Sequence, residues 1–237
     1  APKLVQFSGA RQGMRLLDVA CGTGVVALTA SRQEIEVEGI DLTPQLISRA
    51  NENSKIMGLK AKFVEGDAEF LPYKENKFDI ILSQYGHMFA PRPAIVVKEM
   101  SRVLKPGGIL AFSTWPRELF MGKFFELIES FSQPLPPEVA SPVLWGDMAV
   151  IENRLKDHFD HIEFARDTVF APTMSPAHML KIFEKNAGPL ANLVKALAND
   201  PNKLSNLRKA ALVLIEKFFS NNFLRQDFLM TRCVKKT

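Results

Sequence analysis

Residues 16–24 read LLDVACGTG, an apolar run that ends in two closely spaced glycines. The apolar residues 15–20 predict a short buried strand, and residues 25–32 beyond the turn predict a helix. Gly22 and Gly24 lack side chains, so the turn between these two elements can fold tightly and let a ligand approach its backbone. In doubly wound α/β sheets, nucleotides bind at such a turn, at the carboxyl end of the first strand.

The alternation of strand and helix continues to residue 115. Thr43 and Pro44 are typical of a helix start, as N-cap and first helical residue, and Gly58 is typical of a helix end. Further strands are predicted at residues 36–41, 62–65, 78–83 and 109–114. Five strands that alternate with helices predict an α/β fold with a doubly wound, Rossmann-like sheet.

The pattern changes after Trp115. Residues 161–170 predict a sixth strand, and residues 223–234 predict a last, antiparallel strand at the sheet edge. Helical segments are predicted at residues 120–131, 147–159 and 175–221, the last of them broken at Gly188 and Pro189. We therefore expect about seven strands in a single domain over residues 1–237, with a core at 13–115 and a helical insertion at 175–221 before the last strand.

Composition and charge narrow the class of protein. No apolar run approaches the ~20 residues that a membrane span requires. Cys21 and Cys233 are the only two cysteines among 237 residues, which favours a reducing, cytoplasmic location and argues against a disulfide framework or a metal site. The net charge of +4 is mild, and no concentrated basic stripe accompanies it. We therefore do not expect a nucleic-acid partner, and the oligomeric state stays open.

The first turn carries a carboxylate that restricts its ligand. A nicotinamide dinucleotide fold would place a third glycine where this chain has Ala27. Asp18 precedes the glycines, and a carboxylate there would repel the pyrophosphate that such a fold binds. Asp18 suits a cationic group instead, such as the ammonium of an amino acid. These residues disfavour the dehydrogenase alternative.

Two further carboxylates follow the second and third predicted strands. Asp41 ends the second strand, where a carboxylate can accept hydrogen bonds from both hydroxyls of a ribose. Asp67, in the segment GDAEFLP, could accept a hydrogen bond from the amine of an adenine. Each carboxylate alone could be an ordinary turn or cap residue. Together with Asp18 they favour a ligand that combines an ammonium, a ribose and an adenine.

Four segments carry a resemblance to a known family: LLDVACGTG, GIDLTPQLISRAN, GDAEFLPYKENKFDIILSQYG and EMSRVLKPGGILAFSTW. They resemble the class I S-adenosylmethionine (SAM)-dependent methyltransferases, particularly the group similar to the ubiquinone and menaquinone biosynthesis C-methyltransferases. The resemblance covers about residues 13–115, and residues 116–237 match only in outline. It implies an enzyme that uses SAM and releases S-adenosylhomocysteine (SAH).

The resemblance implies a set of cofactor-binding residues: Asp18, Ala20, Cys21, Gly22, Gly24, Asp41, Leu42, Gly66, Asp67, Ala68 and Ser83. Within this set, the residues of the first turn would contact the methionine end of SAM. Asp41 and Leu42 would hold the ribose, with Leu42 also flanking the adenine. Asp67 and Ala68 would contact the adenine edge, and Ser83 would lie near the methionine portion through its backbone.

The residues after the fourth strand are expected to face the methyl acceptor. The predicted acceptor pocket comprises Tyr85, His87, Phe89 and Trp115. Methylases of amino groups commonly carry Asn or Asp followed by Pro-Pro-Tyr here, and this chain has QYGHMF instead. His87 is the candidate general base, since a histidine can deprotonate a phenol or an activated carbon near neutral pH. Alternatively, it only packs at the pocket wall.

The expected reaction is methyl transfer to a carbon or oxygen of a small, fairly apolar acceptor. The support for this expectation is the Leu- and Phe-rich helical insertion, which could line a pocket, although such a stripe can also merely pack on the sheet. The alternatives are a nucleic-acid or protein methyltransferase and a non-catalytic SAM-binding protein. We expect no metal and no covalent intermediate on the enzyme, because positioning and exclusion of water can supply most of the rate.

Overall fold

The strand predicted before Cys21 is present in the computed structural model, which describes residues 1–237. It is β1 (Arg15–Val19), and all of its residues after Arg15 are buried. Parallel strands flank it on both edges, β2 (Glu36–Asp41) on one side and β4 (Phe78–Gln84) on the other. A strand in the middle of a parallel sheet has both faces covered, which explains the nearly continuous apolar run.

Seven further strands and nine helices complete the chain. Besides β2 and β4, the strands are β3 (Ala61–Glu65), β5 (Leu104–Thr114), β6 (Phe159–Pro172), β7 (Phe219–Ser220) and β8 (Phe223–Lys235). The helices are α1 (Pro2–Ser8), α2 (Val25–Ser31), α3 (Pro44–Ile56), α4 (Pro93–Val103), α5 (Phe120–Phe131), α6 (Met148–Leu155), α7 (Pro176–Asn186), α8 (Gly188–Ala196) and α9 (Pro201–Glu216). None of the helices combines the length and the apolar character that crossing a membrane demands.

The strands form one mixed sheet in the order β3-β2-β1-β4-β5-β8-β6, and β7 pairs with β8. The five strands from β1 to β5 are parallel, and β8 runs antiparallel to β5. This arrangement confirms the predicted α/β class with a Rossmann-like sheet. Because these five strands are parallel, their carboxyl ends all lie at one edge of the sheet.

The predicted position of the last strand was wrong. β8 lies inside the sheet, between β5 and β6, and β6 takes the edge. The physical reason is visible in the burial of the two strands. Residues 227–231 of β8 are all buried, whereas most of β6 is exposed or half-buried. A strand with two neighbours buries a continuous run, and the charged sequence of β6 suits an edge.

The second half of the chain differs in detail from its predicted elements. The helix expected over residues 147–159 ends at Leu155, and β6 begins at Phe159. The predicted break at Gly188 and Pro189 is present, because α7 ends at Asn186 and α8 begins at Gly188. A further break before Pro201 separates α9, and the two-residue strand β7 follows it. The helix α1 was not predicted.

The chain divides into two compact units. The first comprises Ala1–Thr114, Glu138–Ala165 and Leu229–Thr237, and the second comprises Trp115–Pro137 and Arg166–Phe228. The predicted insertion at 175–221 falls wholly within the second unit. There its phenylalanines pack with those of α5, with the Phe124 and Phe183 ring centroids 5.0 Å apart and Phe120 and Phe218 5.5 Å apart. Much of the apolar stripe is therefore the core of this unit.

Candidate cofactor and active site

The turn between β1 and α2 is built from backbone in the left-handed region. Ala20, Gly22 and Gly24 have φ values of 54°, 56° and 83°. A Cβ on Gly24 would lie 2.8 Å from the Phe63 ring, so packing within the protein requires glycine there. A Cβ on Gly22 would meet no atom within 4 Å. The open space in front of Gly22 is therefore available to a ligand.

Asp41 joins this turn to the end of β2. Its Oδ2 accepts a hydrogen bond from the Gly22 amide at 2.8 Å, and its Oδ1 accepts one from the Thr43 amide at 2.9 Å. A carboxylate oxygen can accept two hydrogen bonds, so each oxygen retains capacity for one more. The side chain of Asp41 is thus fixed and can accept from two adjacent hydroxyls. The neighbouring Leu42 is 67% exposed.

Asp18 supplies a buried carboxyl group beside the turn. Its Oδ2 accepts a hydrogen bond from the Ala27 amide at 3.0 Å, but its Oδ1 is buried without a partner. Burial raises the pKa of Asp18 to about 7, against the opposing effect of the Ala27 hydrogen bond. An orphaned carboxyl oxygen in the interior is costly unless a donor or a cation reaches it. Asp18 therefore fits the ammonium group of SAM.

Cys21 lies in the same turn, and its side chain is buried. Its amide donates to the Ile40 carbonyl at 2.9 Å, and its side chain is buried close to Gly39, whose added Cβ would lie 3.0 Å from Sγ. Burial raises the pKa of the Cys21 thiol above its ordinary value. The side chain therefore packs within the protein, and only the backbone of Cys21 belongs to the turn.

The segment after β3 continues the candidate site. The Gly66 amide donates to the Asp41 carbonyl at 3.0 Å, which holds this segment beside the end of β2. Asp67 forms a turn, because its Oδ1 accepts from the Glu69 amide at 2.8 Å and its carbonyl accepts from the Phe70 amide at 3.0 Å. Asp67 is exposed and Ala68 is half-buried. The Asp67 carboxylate is therefore both a turn residue and accessible to a ligand.

The segment after β4 lies against the first turn at Gly86, which was not among the predicted site residues. A Cβ on Gly86 would stand 2.4 Å from the Ala20 Cβ and 2.7 Å from the Ala20 carbonyl oxygen. Only glycine allows this approach, and Tyr85 beside it has a φ of 62°. The signal available in the sequence was a glycine three residues after the predicted fourth strand. Gly86 thus brings the expected acceptor-facing segment to the expected cofactor turn.

His87 lies in the interior and not at a cleft. It is 1% exposed, with its ring centroid 4.6 Å from that of Phe112 and 4.7 Å from that of Trp145. Its Nδ1 lies 3.1 Å from the Oγ of the fully buried Ser83. Burial, with a smaller contribution from Arg154, lowers the pKa of His87 to about 3. The imidazole is therefore a weak proton acceptor, and the geometry favours packing over the catalytic role, which stays a prediction.

The other predicted acceptor residues occupy different environments. Phe89 is 46% exposed and Tyr85 is half-buried, so both are at least partly accessible to solvent. Trp115 belongs to the second unit, where its ring centroid lies 6.5 Å from that of Phe228. Its place in the acceptor pocket stays a prediction. The structure thus brings together the candidate cofactor residues at the ends of β1, β2, β3 and β4.

Comparison with known proteins identifies the family. The family model of the methyltransferase domain matches residues 17–112. A demethylmenaquinone methyltransferase of Staphylococcus aureus is 37% identical over 46% of this chain and 46% of its own length. An uncharacterized protein of Mycobacterium tuberculosis is 31% identical over 97% of this chain and 84% of its own length. The chain is a class I SAM-dependent methyltransferase. The match to the S. aureus enzyme, over 111 residues, supports the predicted likeness to the menaquinone group.

A solved structure extends the likeness in fold to the whole methyltransferase. A Bacillus halodurans protein of proposed methyltransferase activity has a TM-score of 0.67 at 19% identity, over 99% of this chain and 98% of its own. At this identity the likeness concerns the fold alone. It includes the residues after 115, for which the sequence resemblance was only in outline.

Proposed function

We propose that this methyltransferase transfers the methyl group of SAM to a carbon or oxygen of a small, fairly apolar acceptor. The observation that carries the proposal is that two accessible aromatic residues, Tyr85 and Phe89, follow β4 in the segment that Gly86 brings to the glycine turn. Apolar and aromatic walls with few polar groups are typical of small-molecule pockets. The S. aureus relative, a demethylmenaquinone methyltransferase by name, supports an acceptor of this class.

The residues of the candidate site match the parts of SAM in order along the sheet edge. Asp18 offers its unpartnered Oδ1 to the ammonium of the methionine portion. Asp41 offers one remaining acceptor position on each oxygen to the two ribose hydroxyls. The exposed Leu42 covers the adenine, and Asp67 and Ala68 contact its edge. Ser83 belongs to the end of β4 near the methionine portion.

The chemistry requires little from the protein beyond placement. When bound, SAM supplies a methyl group that is already activated by a positively charged sulfur. The residues of the chain hold the cofactor and the acceptor in line and exclude water, which can supply several orders of magnitude in rate. A dedicated base is not obligatory for this reaction. The depressed pKa of the buried His87 is consistent with a mechanism that uses none.

The state of the two cysteines is relevant to the cellular location of the methyltransferase. Cys21 and Cys233 are both free and both buried. Free thiols persist in a reducing compartment, which supports a cytoplasmic location for the protein.

The affinity for SAH is expected to depend on pH through Asp18. Because the carboxyl group must be ionised to pair with an ammonium, its raised pKa of about 7 makes binding release a proton below that pH. Affinity should therefore rise with pH, by roughly eightfold from pH 6 to pH 7.5, and then level off. Calorimetric titration with SAH measures this change. In Asp18→Asn the affinity should be weaker and the pH dependence absent; an equal slope in both proteins would exclude Asp18 as its source.

The acceptor class can be tested by methyl transfer from radiolabelled SAM to three sets of acceptors: small phenols and quinols, oligonucleotides, and a mixture of proteins. We expect label in the small aromatic compounds. We also expect Phe89→Asp to raise the KM for such an acceptor severalfold while SAH affinity is unchanged, since a charge in an apolar contact disfavours an apolar partner. Label confined to nucleic acid or protein would overturn the proposed acceptor class.

A further inference from the structure

Glu69 is a buried carboxylate immediately after the residues proposed to contact the adenine. Its side chain is only 4% exposed. Its Oε1 accepts a hydrogen bond from the Arg92 backbone amide at 2.7 Å, and its Oε2 accepts one from the Arg92 Nε at 2.7 Å. Arg92 Nη2 lies 2.5 Å from the same Oε2. All three of these contacts to the Glu69 carboxylate come from Arg92.

Arg92 ends the acceptor-facing segment, defined here as residues 84–92. This segment leaves β4 at Gln84, contains Tyr85 and Phe89, and closes at Arg92, the residue before α4. Glu69 therefore joins the proposed adenine end of the cofactor site to the far end of the acceptor-facing segment. The two ends of that segment are both anchored at the cofactor site, through Gly86 at the first turn and through Arg92 at Glu69.

The pair of Glu69 and Arg92 resists separation for electrostatic reasons. Charge-assisted hydrogen bonds of this length are stronger than neutral ones, and a guanidinium adds geometric specificity. If Arg92 moved away, a buried carboxylate would be left without its cation, which is strongly unfavourable. A displacement of Glu69 is therefore transmitted to Arg92, and a displacement of Arg92 is transmitted to Glu69.

A neighbouring ion pair does not make the same connection. Glu99 accepts from the Leu71 amide at 2.9 Å, and Arg102 donates to the Leu71 and Tyr73 carbonyls at 2.8 and 2.7 Å. These bonds hold the later part of the segment after β3 against α4. They do not involve residues 84–92, so they stabilise the adenine side alone.

We propose that Glu69 and Arg92 are positioning residues that couple occupancy of the adenine end of the cofactor site to the order of the acceptor-facing segment 84–92. This inference rests on the proposed function, because it assumes that SAM binds beside residues 66–68. Binding of the cofactor fixes Glu69, and Glu69 holds Arg92 and with it the segment that carries Tyr85 and Phe89. The acceptor surface is thereby completed when the cofactor is present.

Hydrogen exchange of the full chain, with and without saturating SAH, tests the coupling. In the wild type, SAH should slow exchange both at residues 66–73 and at residues 84–92, the latter by about fivefold or more. In Arg92→Ala and in Glu69→Gln, protection at 66–73 should persist at saturating SAH, and protection at 84–92 should be lost. Arg92→Lys, which keeps the positive charge but not the guanidinium, should restore part of it.

Arg49→Ala is the matched control. Arg49 and Arg92 have side chains of equal exposure, 58%, but Arg49 pairs with the exposed Glu52 and not with a buried carboxylate. This variant should keep the wild-type protection at 84–92. Full protection of 84–92 in Arg92→Ala, or its absence in the wild type while 66–73 is protected, would overturn the coupling alone. Absence of SAH protection at 66–73 in the wild type would overturn the cofactor placement as well.

Discussion

Replacing Asp41 with alanine is expected to lower the affinity for SAH at least about 100-fold. Hydrogen bonds to a charged group contribute roughly 1.5–3 kcal/mol each, and the variant loses two such bonds to the ribose. It also loses the hydrogen bond that the Gly22 amide donates to Oδ2, which fixes the turn in front of the cofactor. Calorimetric titration with SAH measures the loss, and circular dichroism shows whether the fold is retained.

Asp147 provides a matched control for the Asp41 variant. Its side chain accepts hydrogen bonds from the Ala149 and Val150 amides as the N-cap of α6, so Asp147→Ala also removes two bonds to backbone amides. Loss of such a cap costs about 1 kcal/mol of stability. SAH affinity in this variant should equal that of the wild type. Wild-type affinity in Asp41→Ala would show that the ribose is not bound at the end of β2.

Replacing Gly22 with valine is expected to abolish SAH binding, on the order of a 100-fold loss or more, which corresponds to about 2.7 kcal/mol. The φ of Gly22 is 56°, a conformation that costs a residue with a side chain about 1–2 kcal/mol. The new side chain would also occupy the open space in front of the turn, where the protein itself has no atom within 4 Å of the added Cβ. Calorimetry with SAH again measures the effect.

Gly58→Val separates backbone strain from obstruction of the site. Gly58 has a φ of 62°, and an added Cβ there also meets nothing within 4 Å, but it follows α3 far along the chain from the turn. Both variants should lose a similar amount of stability in thermal denaturation. Only Gly22→Val should lose SAH binding; equal SAH affinity in the two variants would contradict a ligand in front of Gly22.

The parallel half of the sheet was predictable from the sequence because its strands are short apolar runs separated by helix signals. β2 matched the predicted residues 36–41, and β1, β3 and β4 differed by one residue at one end, but β5 begins at Leu104, five residues before the predicted 109–114. The position of β8 was not predictable in the same way. Its buried run at 227–231 includes Asp227 and Thr231, polar residues that conceal the continuous burial of an inner strand. Pairing order also depends on partners distant in sequence, which local periodicity does not encode.

The candidate site was predictable to the extent that its residues lie at strand ends. Asp18 is the last residue but one of β1, Asp41 ends β2 and Asp67 follows β3, and parallel topology alone brings these strand ends to one edge. Burial of a single side chain depends on distant elements, and this is why His87 was expected at a pocket wall and lies instead against Phe112 and Trp145.

The contacts between the segments that follow the strands could also not be predicted from the sequence. The approach of Gly86 to Ala20 joins residues 66 positions apart, and the pairing of Glu69 with Arg92 joins residues 23 positions apart. A glycine after the fourth strand hints at a close approach there, but no motif or periodicity identifies the partner residue in either contact. They become visible only when the ends of the strands are placed side by side.

In the proposed site, SAM lies across the carboxyl ends of β1, β2 and β3, with Asp41 on its ribose. A crystal structure of the protein with SAH tests it most directly. We expect both ribose hydroxyls within hydrogen-bond distance of the Asp41 carboxylate, and the amino group of SAH next to Asp18 Oδ1. Density for SAH elsewhere on the molecule, or a ribose turned away from Asp41, would contradict it.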